Sequence, residues 1–236
     1  MAIVRRMANM VKLVLFDIDG TLVRTGGAGI EAFRKVFATE FGVSDGFEQL
    51  KFAGRTDVAL IREFFNYHKI PMTPENLERF LEHYVFLLDH ILEQGAPRPC
   101  QGVLEFIAAL RKLPTPPMIG LLTGNIRLGA EIKLRHCKLW DIFEMGGFAD
   151  DNEDRNLIAA AAKERGGRLL GKELRGEEIV VIGDTIHDIR CGRYIGARVL
   201  AVGTGGATMD ELKSHQPDWA VEDLTHLTAR EVVSPR

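Results

Sequence analysis

No uncharged apolar stretch in this chain approaches the roughly 18 residues that a membrane span requires. Only three cysteines occur, Cys100, Cys137 and Cys191, far apart and with no CxxC pair. That spacing fits neither a disulfide framework nor a zinc site, and it points to a reducing compartment. Charge of either sign is scarcely in excess: 30 Lys and Arg against 33 Asp and Glu leave a formal net charge of -3. A basic nucleic-acid binder and a disordered acidic tail are both excluded. Residues 1–10 carry Arg5 and Arg6 but lack the apolar core of a signal peptide. Internal repeats and low-complexity segments are absent. The expectation is a soluble, cytoplasmic protein with neither a nucleic acid nor a membrane as partner. What the chain does have is 236 residues, 46% of them apolar, enough to bury a core without disulfides or structural metal.

Short β-branched or leucine-rich runs recur at 11–16, 118–122, 179–182 and 198–202, each ending in small or acidic residues. They predict buried strands of a parallel sheet. Helical periodicity follows between the later runs, as in Val103, Phe106, Ile107 and Leu110, or Leu157, Ile158, Ala161 and Ala162. Alternating strand and helix predicts an α/β, Rossmann-like three-layer sandwich with right-handed crossovers. Residues 26–96 break the alternation with three helical patterns and no strand: Ile30, Phe33, Phe37 and Phe41; Leu60, Ile61, Phe64 and Phe65; Leu77, Leu81, Tyr84, Leu88 and Leu92. Thr73-Pro74 opens the third with a capping residue and a proline at the first helical position. The predicted division is a sheet domain of 1–25 and 97–236 with a helical insert of 26–96. Gly26-Gly27 and Ala96-Pro97-Arg98-Pro99 serve as the two connections.

Chemistry concentrates where strands end. In Phe16-Asp17-Ile18-Asp19-Gly20-Thr21, two carboxylates two residues apart point the same way if strand geometry continues. They lie at the carboxyl edge of the sheet, where ligands of parallel α/β proteins bind. A second acidic group, Gly183-Asp184-Thr185-Ile186-His187-Asp188, follows another buried run, with Asp184 and Asp188 predicted four apart on the first turn of a helix. Acids in a first turn are also ordinary dipole partners, but two acidic strand ends in one sheet together supply the hard oxygen ligands that Mg²⁺ takes. Thr123-Gly124-Asn125 ends a third run at a predicted helix start, a place where anions bind or where Thr123 simply caps. Arg155, after Asp150-Asp151-Asn152-Glu153-Asp154, is one cation among acids at another helix start; the plain alternative is a surface ion pair of little energetic consequence.

These segments together resemble the haloacid dehalogenase-like hydrolase superfamily, in its phosphatase branch with a helical cap inserted after the first strand, similar to phosphoglycolate phosphatases. The likeness runs through nearly the whole chain and rests most on DxDGT at Asp17 to Thr21 and GDTxxD at Asp184 to Asp188. It implies a phosphoric monoester hydrolase acting on a small phosphorylated metabolite. By that likeness Asp17 is the nucleophile and Asp19 the acid and base. Mg²⁺ is held by the Asp17 and Asp184 carboxylates and the Asp19 carbonyl, with Asp188 as a further or supporting ligand. Thr123, Gly124, Asn125 and Arg155 bind the phosphoryl group. The family commonly has lysine, often followed by proline, where this chain has Arg155-Asn156; Lys163, two turns deeper, is the other candidate.

Other readings share part of the pattern. A dehalogenase needs no second acid at Asp19. A phosphonate hydrolase needs a cap lysine, for which Lys35, Lys51 and Lys69 are available, and a sugar phosphomutase uses the same motifs. A phospho-acceptor signalling module places its acidic pair before the acceptor strand and lacks a large insert, and a scaffolding pseudoenzyme would not keep both acidic motifs complete. His187 reads as a solvent-side residue of its turn, and Cys137 and Cys191 as small helix hydrophobes. Phe52-Ala53-Gly54-Arg55-Thr56, between two cap helices, is expected to present Arg55 over the sheet edge as a selectivity residue, the alternative being a surface arginine beside an N-cap at Thr56.

Overall fold

The computed structural model describes residues 10–235; residues 1–9, on which the signal-peptide reading mainly falls, and Arg236 lie outside the described residues. In chain order the elements are β1 (Leu13–Phe16), β2 (Val23–Arg24), α1 (Ala28–Phe41), α2 (Asp57–Tyr67), α3 (Pro74–Gln94), β3 (Arg98–Pro99), α4 (Val103–Arg111), β4 (Met118–Leu122), α5 (Arg127–His136), β5 (Met145–Gly147), α6 (Arg155–Leu169), β6 (Ile179–Gly183), α7 (Ile186–Tyr194), β7 (Arg198–Val202), α8 (Met209–Ser214), β8 (Trp219–Val221) and α9 (Ala229–Val233).

Six strands form one parallel sheet in the order β5-β4-β1-β6-β7-β8. The runs are apolar throughout because both faces are covered. Val14, Phe16, Leu121, Val180, Ile182 and Leu200 face α4, part of α5 and α9. Leu13, Leu15, Leu122 and Val181 face α6 and α7. This is the expected three-layer Rossmann-like sandwich. Two short edge strands, β5 and β8, were not predicted, because three residues are too few to show a period. The expected connections at either end of the helical insert pair with each other as an antiparallel ribbon, Val23 opposite Pro99 and Arg24 opposite Arg98.

The helices α1, α2 and α3 form their own apolar cluster. Nine of the thirteen phenylalanines fall within residues 28–94, and rings interlock at its centre: the Phe37 centroid lies 4.3 Å from that of Phe64 and 4.8 Å from that of Phe80. The entry to α3 is as expected, with Thr73 as N-cap accepting from the Asn76 amide and Pro74 at the first turn. α3 packs on α5, so the helical unit sits across the carboxyl edge of the sheet. Among the described residues no helix is long and apolar enough to cross a membrane.

Candidate active site

β1 is the central strand, and the sheet register sets the site. Phe16 lies level with Leu121 and Ile182, and the ladder continues one residue further, the Asp17 amide donating to the Ile182 carbonyl at 2.9 Å. Asp17 therefore leaves the sheet between the ends of β4 and β6. Asp17, Asp19, Thr123, Gly124, Asn125, Arg155 and Asp184 all line one cavity of about 400 Å³, roofed by Ile30, Phe33, Phe52, Leu60 and Tyr84 from the helical unit.

Arg155 starts its helix as expected and is buried, not the surface ion pair of the alternative reading. Its Nη2 donates to Asp17 Oδ1 at 2.7 Å and to Asp188 Oδ1 at 2.5 Å. Its Nη1 donates to the Gly54 carbonyl of the helical unit at 3.1 Å. The neighbouring acids are used elsewhere: Asp154 caps α6, Asp150 accepts from the Arg127 amide, Asp151 pairs with Arg165 and Glu153 with Arg62. Lys163 is not part of the site; its ammonium donates to the Ile195 carbonyl.

Asp17, Asp184 and Asp188 bring carboxylate oxygens within 4.8 Å of one another, all buried. The pair Asp184 and Asp188 does not share a helical turn as expected. Asp184 stays at the end of β6, because α7 begins only after its N-cap Thr185, and Asp188 is the third helical residue of a capping box. Asp188 Oδ2 accepts from the Thr185 amide and hydroxyl, and Oδ1 from Arg155, so Asp188 is held behind the site. Glycine at 183 is required, since a Cβ there would lie 2.1 Å from Asp188 Cγ. Asp184 accepts from the Thr21 hydroxyl and the Gly206 amide.

Three carboxylates around one guanidinium leave two negative charges uncompensated. Burial pushes Asp17 well above the ordinary carboxylate range, Arg155 opposing and the neighbouring aspartates reinforcing the shift. Burial, followed by Asp188, raises Asp184 to about 7. Burial also works against the Arg155 charge, but Asp188 and Asp17 outweigh it. Such a donor set, all hard oxygens with excess negative charge, fits a divalent cation.

The Thr123 loop differs from expectation in one respect. The helix after it begins at Arg127 with Ile126 as N-cap, so Thr123 caps no helix; its hydroxyl accepts from the Asn125 amide and side chain. Arg55 lines the cavity, but its guanidinium pairs with Glu63 at 2.6 Å, while Thr56 caps α2 as expected. None of Lys35, Lys51 and Lys69 lines the cavity. His187 is half-buried, and burial followed by the charge of Arg155 lowers its pKa.

Two residues of the site were missed in the sequence. Lys133 is buried, donating to Asp19 Oδ2 at 2.6 Å and Asn125 Oδ1 at 2.5 Å. Its signal is a lysine seven residues after Ile126 and three after Ala130, on the apolar stripe of α5. Asp57 joins the helical unit to the β4 loop: its amide donates to the Gly124 carbonyl at 2.7 Å, and its Oδ2 accepts from the Ile126 amide at 2.8 Å.

Comparison with known proteins agrees with this geometry. The model of the haloacid dehalogenase-like hydrolase family matches residues 14–202. The chain is 24% identical over 221 residues to the pyrophosphatase PpaX of Anoxybacillus flavithermus, covering 92% of this chain and 95% of that protein. It is 25% identical over 223 residues to the probable phosphatase IndB of Dickeya dadantii, with 92% of each covered. Among solved structures, CbbY of Rhodobacter sphaeroides in complex with xylulose-1,5-bisphosphate superposes with a TM-score of 0.77 at 19% identity, covering 95% of this chain and 100% of that one. A predicted phosphoglycolate phosphatase of Haemophilus somnus gives 0.71 at 18% identity, covering 94% and 96%. The chain belongs to the haloacid dehalogenase-like hydrolase family. Within it, this is an enzyme of the phosphatase kind.

The Asp57 contact has a pH signature. Burial, opposed by Lys133, raises its carboxyl to about 6. A folded value above the unfolded one means that the stabilisation is fully present below the unfolded pKa, near 4, and is lost as pH rises through about 6. Relative to Asp57→Asn, the wild-type chain should lose stability of about 3 kcal/mol across that window, measured by denaturant titration at each pH. Parallel curves would contradict the assignment.

Proposed function

We propose that the chain is a cytoplasmic, Mg²⁺-dependent phosphatase that hydrolyses a small phosphate monoester through an aspartyl-phosphate on Asp17. What carries the reading is the convergence of Asp17, Asp184 and Asp188 around Arg155, in a cavity that Asp19 and Thr123 also line. Residues 1–25 and 97–236 would form the catalytic domain and 26–96 its cap. The substrate would be a phosphorylated metabolite, as the bisphosphate bound in the neighbouring structure favours.

In the first step an Asp17 oxygen attacks phosphorus, the bond from phosphorus to the leaving oxygen breaks, and the proton on Asp19 passes to that oxygen. In the second, water attacks phosphorus, the Asp17–phosphorus bond breaks, and Asp19 takes the water's proton. Thr123, Gly124 and Asn125 would hold the phosphoryl oxygens. Arg155, tied to Asp17, orients the nucleophile and offsets its charge. Mg²⁺ bound by Asp17, Asp184 and the Asp19 carbonyl, with Asp188 behind them, would neutralise the two charges that Arg155 leaves. A phosphonate hydrolase is disfavoured, because no cap lysine reaches the cavity.

The metal reading is tested by titration. Activity should disappear with excess chelator and return with Mg²⁺. Because Asp184 must lose its proton to ligate, the Mg²⁺ concentration for half-maximal rate should rise as pH falls below about 7, by up to about tenfold per pH unit. Full activity in chelator would remove the metal from the account.

For selectivity, Arg55 would leave Glu63 to meet an anionic leaving group, using binding energy remote from phosphorus to close the cap. Arg55→Ala should then lower kcat/KM for a carboxylated or doubly phosphorylated substrate about tenfold or more, the scale of one lost charge-assisted hydrogen bond. A small neutral aryl phosphate should be little affected. Equal losses on both, or none, would exclude Arg55 from selectivity.

A further inference from the structure

Lys133 is an unusual element of this cavity because it comes from the middle of α5, a helix of the sheet domain, and not from a strand end or from the helical unit. A lysine is rarely buried unless paired, and only 4% of this residue is exposed. Its burial comes from α3, which lies against α5. A Cβ placed at Gly29 would stand 3.5 Å from Lys133 Nζ and 3.6 Å from Tyr84 Oη, so the ammonium lies where the two halves of the cavity meet. Its two partners are Asp19 and Asn125, and these bond each other: Asn125 Nδ2 donates to Asp19 Oδ2 at 2.8 Å. Asn125 is fixed in turn by the Thr123 hydroxyl, at 2.8 Å from Nδ2. Asp19 Oδ2 thus accepts from both Lys133 and Asn125, while among the described residues Oδ1 has no hydrogen-bond partner. The Asp19 side chain is 42% exposed into the cavity.

We propose that Lys133 is a positioning residue for the acid and base: it clamps Asp19 through Oδ2, so that Oδ1 is left to give and take the proton. The inference rests on the phosphatase reading with Asp19 in that role. A carboxylate on a short side chain at a loop has two soft torsions. Two charged or polar donors on one oxygen select a single rotamer before substrate arrives, which is how a proton-transfer group is kept in reach of both the leaving oxygen and the later water. Lys133 forms no bond to substrate in this account.

The test separates the two steps with an aryl phosphate, whose phenolate departs without a proton. In Lys133→Met the burst of phenolate release should stay within about threefold of wild type, while steady-state turnover falls about tenfold or more, a part of the 10²- to 10⁴-fold that general acid–base catalysis supplies. Phosphorylated enzyme should then accumulate, detected as intact protein plus one phosphoryl group. An alkyl phosphate, which needs the acid in the first step, should lose its burst as well. For the aryl substrate KM should fall in step with turnover, so that kcat/KM stays within about threefold of wild type. Equal loss of burst and turnover on the aryl substrate, a rise in KM alone, or wild-type kinetics would each overturn the proposal. Should Lys133→Met fail to fold, Lys133→Arg serves: retained charge should keep turnover closer to wild type than Lys133→Gln, and equal rates in the two would overturn the proposal. Asp19→Asn in the same assay distinguishes the failures, for an Asp19→Asn enzyme with wild-type turnover would remove the reading of Asp19 itself.

Discussion

The contact on which the site depends is the guanidinium of Arg155 between the carboxylates of Asp17 and Asp188. Two strand ends and a helix start would otherwise place like charges together in a buried space, which repulsion and desolvation both oppose. A bidentate, permanently charged group is suited to this position, because it can bond two carboxylates from one nitrogen and still reach a third acceptor. That third acceptor is the Gly54 carbonyl. The cation that organises the carboxylates is therefore also a hydrogen bond between the sheet domain and the helical unit over it.

The same seam is built elsewhere from backbone. A Cβ at Gly124 would fall 2.2 Å from the Arg55 carbonyl oxygen, so the loop after β4 and the loop before α2 touch at a distance only glycine permits. Asp57 adds two hydrogen bonds to the loop after β4, and Lys133 is buried by the helix above it. Cavity and seam are one object: the residues proposed to handle phosphate are those against which the helical unit packs, and Asp17 is buried beneath it.

How much of this could be read from sequence followed the range of the interactions. The parallel sheet was legible because residues 11–16, 118–122, 179–182 and 198–202 are continuous apolar runs, and the helical unit because its phenylalanines repeat at helical spacing. Asp17, Asp19, Asp184 and Asp188 were legible because acids directly after such runs are conspicuous, and Arg155 because it starts the helix after β5. β5 and β8 were not, being too short to have a period. The helix starts near Thr123 and Asp184 were placed early, since a strand end does not show how many residues turn before a helix begins. Lys133 was missed because the helix that buries it, α3, lies some forty residues upstream; nothing local to α5 demands an ammonium at that position. Arg55 was expected to face the cavity, and its partner Glu63 lies in the second turn of α2, the helix that begins just after it.

The central claim is that Asp17 carries the phosphoryl group between the two steps, and the most direct measurement is to trap it. The enzyme should be mixed with Mg²⁺ and an aryl phosphate, quenched in acid within one turnover, digested and examined by mass spectrometry. The account predicts one phosphoryl group on the peptide containing Asp17, stable in acid, released by hydroxylamine and absent from Asp17→Asn. Turnover with no adduct under conditions where product forms in a burst, or an adduct on any other residue, would contradict it.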